Sequence, residues 1–174
     1  MSPLFLLVLA VMSFGYSTAA EGTELTPVVN RHLRSASSKL DWRDEMLKKV
    51  NQVRADHGVG PLCMNIKLQN AAQVHSTDMA VHNLMSHTGT DGSQPQKRIH
   101  AEHYVESTQA ENVASGQKSI DAVMASWMNS PKHRANILSP RFTMFGCGFD
   151  DKDKSKFPSY WTQVFAASKS EKCS

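Results

Sequence analysis

The stretch "RFTMFGCGF", Arg141–Phe149, decides the fold. Read with a period of two, it puts Thr143, Phe145, Cys147 and Phe149 on one face. Gly146 and Gly148 fall on the other face and keep it thin, as where another backbone comes close. After the polar turn "DDKDKSKFPS", the run "YWTQVFAA" (Tyr160–Ala167) returns as a second strand, which predicts an antiparallel hairpin. Nearly everything upstream reads as helix. Helices first and strands last define an α+β domain rather than an alternating α/β one.

Working outward, Asp41 is positioned to cap a helix whose first turn carries Asp44 and Glu45. Trp42, Met46, Val50 and Val53 share its apolar face, and Gly58, Gly60 and Pro61 stop it. A second helix runs from about Asn65 to Asn83, with Leu68, Ala71, Ala72, Val74 and Met79 inside. "GTDGSQP" is a loop, "PQKRIHAEH" a turn of helix, and "ENVASG" a short strand or buried loop. Ser119 caps a helix with Ile120, Val123, Met124 and Trp127 as its core stripe; Pro131 breaks it, and "KHRANIL" adds a further turn or two.

The 174 residues suffice for one domain with a substantial core. A net charge of +3, spread without a Lys/Arg block, argues against a nucleic-acid binder. "LFLLVLAV" (Leu4–Val11), followed by "STAA" before residue 21, predicts a signal peptide over residues 1–20. The run is too short to span a bilayer, so no stable membrane insertion is expected and the mature protein is read as secreted and extracellular. Residues 21–39 read as a disordered leader and residues 40–174 as the domain. The leader holds "RHLR" (Arg31–Arg34), which resembles the Arg-x-Leu-Arg signal of secreted water-mould effectors; a basic processing site and an idle linker are the other readings. Three cysteines allow one bridge. Cys63–Cys173 is favoured over Cys147–Cys173, because Cys147 sits in a strand where a buried thiol is common.

Several segments then match one family in order and spacing: "PLCMNIKLQNAAQVHSTDMA", "MSHTGTDGS", "ENVASGQ", "WMNSPKHRANIL", "GCGF" and "YWTQVFA". Together they resemble the CAP superfamily of cysteine-rich secretory proteins, insect venom antigens and plant pathogenesis-related proteins, nearest the small branch shared by bacteria, fungi and oomycetes. The resemblance covers about Leu40 to Ala167. It implies a three-layer α-β-α sandwich with a small antiparallel sheet, and a cleft with two histidines and two glutamates able to hold a divalent metal. His87 and His133 fall on the two histidines, and Glu111 on the glutamate of a Gly-Glu-Asn motif that here reads Ala110-Glu111-Asn112. Ser130 stands where the second glutamate usually follows the helix tryptophan, so the tetrad becomes a triad.

Chemistry gives these residues a reading of their own. Two imidazoles suit Zn²⁺ or Cu²⁺, and a carboxylate beside one can fix its tautomer. Two protein ligands make a weak, open site, so the expected cofactor is weakly bound zinc or none. A hydrogen-bond network closing the cleft is the competing reading. Lys132 and Arg134 flank His133 and are expected to point to solvent while lowering its pKa. His75, Asp78 and His82, at helical spacing, read as a solvated face rather than a metal face. Asn112 and Gln163 read as structural.

Three functions follow. The favoured one is a secreted, non-catalytic binding module for a sterol or other small lipid, or for a host protein. The second is a metal-dependent hydrolase or protease using His87 and His133 with Glu111 as base. The third is a host-directed effector, if "RHLR" acts.

Overall fold

The structure is a computed structural model that describes residues 27–151 and 159–174, with side chains from Trp42 onward. The expected signal peptide and the tip of the polar turn lie outside the described residues. Five helices and four strands occur among them: α1 Pro27–Asp56, β1 Cys63–Met64, α2 Ile66–His82, α3 Pro95–Ala101, β2 Thr108–Ser115, α4 Ile120–Asn129, α5 Pro131–Ile137, β3 Met144–Asp151 and β4 Ser159–Ala167.

One boundary differs from expectation. The first helix does not begin at Asp41; its backbone is already helical from Pro27, through "RHLR" and Lys39. Proline suits the first helical position, and no Gly or further Pro interrupts the chain before Gly58. The other ends follow their caps. Asn65 accepts from the amides of Lys67 and Leu68, and Asn83 closes α2 in the left-handed conformation. Ser119 accepts from the amide of Ala122 to start α4. Ser130 joins α4 to α5, with its amide on the Trp127 carbonyl and Pro131 opening the next helix.

The sheet order is β1-β3-β4-β2. The expected hairpin is present, Gly146 opposite Val164 and Gly148 opposite Thr162, and "ENVASG" supplies β2, antiparallel to β4 at the edge. The two residues of β1 pair parallel with β3 and make the sheet mixed. Helices cover both faces. On one face Phe145, Cys147, Trp161 and Phe165 pack with Met46, Val50, Val123, Met124, Trp127 and Ile137. On the other, Met144, Val164 and Ala166 pack with Leu68, Ala71, Ala72, Ile99 and Tyr104. This is the three-layer sandwich. A β-carbon at Gly146 would overlap the backbone of Leu68, and one at Gly148 that of Ala72, so the thin strand face is where α2 lies directly on the sheet.

Two fastenings hold the periphery. Arg54, buried on the α1 stripe, donates to the carbonyls of Gly60, Ile137, Ser139 and Phe142. The C-terminal tail is held at β1 by the Cys63–Cys173 disulfide, by Asn65 on the Lys172 carbonyl (2.7 Å) and by the Lys67–Glu171 ion pair (2.8 Å). Cys147 is free and buried.

Candidate functional site

The site sits at the β2 edge of the sheet. Alternation along β2 sends Glu111 toward α2 and α3, and Asn112 toward the opposite layer. Glu111 is buried, and both its oxygens are engaged. Oε1 accepts from His87 Nδ1 at 2.9 Å, and Oε2 from Arg98 Nη2 at 2.7 Å. His75 Nε2 stands 3.9 Å from Oε1. Arg98 also donates to the carbonyls of His87 (3.0 Å) and Ser93 (2.8 Å), so one guanidinium ties the "MSHTGTDGS" loop to the strand. With Nδ1–H given to Glu111, His87 keeps its Nε2 lone pair, on a side chain 52% exposed.

His133 comes from α5. Its carbonyl accepts from Asn112 Nδ2 (3.2 Å), which also donates to Gln163 Oε1. Asn136 Nδ2 bridges the Glu111 carbonyl and Asn112 Oδ1. These amides clamp α5 to the edge strand and carry the structural role expected of Asn112 and Gln163. Burial first, and then the charge of His87, hold the His133 imidazole below the ordinary histidine range. The lowered direction was expected, but its causes are not the sequence neighbours. Lys132 and Arg134 are exposed, and Arg134 turns to His57 Nε2 at 3.1 Å.

The family's metal can be tested against these donors. Among the described residues, no three His, Cys, Asp or Glu side chains converge to hold an ion. Both oxygens of Glu111 are spent on Arg98 and His87, and Ser130 brings no carboxylate. The donor set does not fit a caged metal centre.

Two residues of this network escape sequence reasoning. Arg98 lies in a short helix with no motif to mark it. His75 is not on a solvated face: it is fully buried, its Nε2 bonds the Ser86 carbonyl at 2.7 Å, and burial holds its imidazole below the ordinary range. Asp78 instead accepts from the amide of Thr90 (2.9 Å), and His82 alone of the three is a solvated side chain. The spacing of His75 from the buried Leu68 and Ala72, on the core side of α2, is the signal that was available.

The fold and the site define the class: a three-layer α+β sandwich with a histidine–glutamate pair at its edge strand. The sequence model of the cysteine-rich secretory protein family, CAP, matches residues 47–165, and the chain belongs to that family. It is 30% identical over 149 residues to the uncharacterized protein YkwD of Bacillus subtilis, covering 86% of this chain and 56% of that one. Among solved structures it resembles an extracellular protein containing a SCP domain from Bacillus anthracis (TM-score 0.67, 24% identity, 84% of this chain and 45% of that one). It also resembles an outer surface protein of Borrelia burgdorferi (TM-score 0.66, 19% identity, 72% and 92%). The structural likenesses speak for the fold alone. The chain spans about half the length of YkwD and of the Bacillus anthracis protein.

Proposed function

We propose that this chain is a secreted CAP binding module, without catalytic activity, for a sterol or other small lipid. The observation that carries the reading is the state of Glu111. A general base must be reached by the water it deprotonates, and this carboxylate is buried, with His87 on one oxygen and Arg98 on the other. The second carboxylate of the family's cleft is Ser130 here. Secretion is supported by the apolar N-terminal run and by a disulfide of the kind that persists in oxidising compartments. A lipid is supported by Val81, Leu84 and Met85, exposed at 47, 42 and 50% where the chain leaves α2 for the His87 loop.

The hydrolase reading keeps one argument, a carboxylate orienting an exposed imidazole, which is the arrangement of a general base. His87→Ala and His133→Ala separate the two, since neither ring is buried in the core. Binding of a fluorescent sterol by the secreted protein should survive both substitutions. Cleavage of ester or peptide substrates that disappears in His87→Ala would establish the hydrolase instead. Association with a host protein, or an effector role for "RHLR", stays compatible with either outcome.

A further inference from the structure

After α2 the chain turns through Asn83 into the irregular segment Leu84–His87. This segment delivers His87 to the edge of the sheet and carries Leu84 and Met85, both exposed. Its hold on the rest of the molecule includes the Leu84 amide on the Met79 carbonyl (3.1 Å) and the Ser115 hydroxyl on Met85 Sδ (3.2 Å). His87 adds its carbonyl on Arg98 and its ring on Glu111. The last fastening reaches into the interior. The Ser86 carbonyl accepts from Nε2 of His75 at 2.7 Å, and His75 has no exposed surface.

A carbonyl only accepts, so Nε2 carries the ring proton of neutral His75. A second proton would have to sit on Nδ1. That nitrogen is buried, and among the described residues it has no hydrogen-bond partner. Glu111 Oε1 comes closest to Nε2 instead, at 3.9 Å, beyond hydrogen-bond distance. Burial opposes the charged ring most strongly, and Arg98 from α3 acts in the same direction. Glu111 from β2, Asp78 from α2 itself and the Ser86 carbonyl favour it, and the balance leaves the pKa below the ordinary histidine value. The closed position thus has no place for an imidazolium. A charged ring finds partners for both N–H groups only by reaching water, and that movement breaks the bond to Ser86.

We infer that neutral His75 is a latch on the segment Leu84–His87, and that acid releases it locally, taking His87 from Glu111 and loosening Leu84 and Met85 while the sheet stays folded. The latch does not rest on the binding-module reading, since it governs where His87 stands whatever the site binds. The size of the effect follows from linkage. In the released state the ring meets water and titrates near the free value of about 6.5. Release at pH 5.5 is then favoured over release at pH 7.5 by up to about tenfold.

Amide hydrogen exchange of the full chain, followed residue by residue between pH 7.5 and 5.5 and corrected for intrinsic rates, tests the latch. The reporters are the amides of Leu84, Thr88 and Gly89, each hydrogen-bonded in the closed segment. Their protection should fall by up to about tenfold over that interval. The fall should be insensitive to low urea, as a local opening is, whereas the buried β4 amides of Val164 and Phe165 should respond to urea as global unfolding does. His75→Gln, which keeps a neutral donor and cannot charge, should abolish the pH dependence. His87→Ala, which removes the titrating ring of the segment itself, should keep it, and this arm decides the matter if His75→Gln folds poorly. Protection that is flat with pH in the parent protein, a fall that survives His75→Gln or vanishes in His87→Ala, or reporters that follow the β4 amides in urea would each overturn the latch.

Discussion

Arg98 and Glu111 form a buried ion pair at 2.7 Å, and the same two side chains hold the two ends of the candidate site, Arg98 the loop backbone and Glu111 the ring of His87. A desolvated carboxylate of this kind is tolerable only while its partners remain. Arg98→Met therefore leaves Glu111 without its cation and takes the guanidinium from the carbonyls of His87 and Ser93, of which Ser93 keeps the amide of Gly89. We expect a loss of about 3–5 kcal/mol in urea unfolding. The double variant Arg98→Met/Glu111→Gln should be less destabilised than the sum of the single changes. Strict additivity would mean that the pair does not act as a unit.

The contact of α2 with β3 gives a second expectation. No side chain fits between Gly148 and the backbone of Ala72, so Gly148→Ala has to push the helix away from the sheet. Overpacking of this kind costs about 1–3 kcal/mol or more. Thermal melting reads it directly. The same substitution at Gly58, where a β-carbon meets no neighbour, is strained by its φ of 69° but disturbs no packing.

Much of this architecture was legible because it rests on local chemistry. The alternation of Phe145, Cys147 and Phe149 set the strand and its faces, while Thr143 lies exposed one residue before it, and the side chains of Asn65 and Ser119 set two helix starts. His87, Glu111 and His133 were placed by the family resemblance, and they gather at one edge strand. What stayed hidden was long-range. Nothing around Arg98 announces that its guanidinium crosses to Glu111, and nothing local to Arg54 announces the distant carbonyls of Ile137, Ser139 and Phe142. His75 went astray because the polarity of its side chain outweighed its place on the core side of α2. The start of α1 differs because the polar, aperiodic stretch gives no helical period, although no Gly or Pro stands between Val28 and His57 to break a helix.

His75 also makes stability depend on pH. Burial lowers its folded-state pKa below the value of about 6.5 that it takes when unfolded, against the opposing pull of Glu111. Between those two values the unfolded chain binds more protons, so stability rises with pH through the window. The contribution is fully present above the unfolded pKa and is lost as pH falls below it. Urea unfolding from pH 7.5 to 5 should show this decline, and His75→Gln should flatten it. An identical slope in the variant would assign the decline to other groups.

The two thiol environments predict opposite behaviour. Cys173→Ser releases a tail that closes a loop of 110 residues and should cost about 2–4 kcal/mol. Cys147 lies fully buried, and burial raises its thiol pKa well above the usual range, so the reactive thiolate is scarce. In the native protein no thiol should react with a maleimide, and one should react on unfolding without reductant. Native labelling of Cys147 would contradict its burial between β3 and the helices packed on that face.

The last expectation concerns zinc. His87 offers Nε2 when its ring is neutral, because Glu111 holds its Nδ1, and burial first, then repulsion from His87 whenever that ring is protonated, lowers the pKa of His133. Neutral rings are the form that binds a metal, so protons compete with the ion for both nitrogens. Yet Glu111 is committed to Arg98, Ser130 brings no charge, and no third ligand converges among the described residues. The dissociation constant should therefore be micromolar or weaker, about −8 kcal/mol or less favourable. Affinity should fall as pH drops through the histidine range, because protons compete for the same lone pairs. Calorimetry at pH 7.5 and 6 measures both effects. His133→Ala should remove the binding and leave the melting temperature nearly unchanged, since its ring is partly exposed and Asn112 holds only its backbone. Undiminished zinc affinity in that variant would place the ion elsewhere, and nanomolar affinity in the parent protein would require a third ligand that this arrangement of Glu111 does not supply.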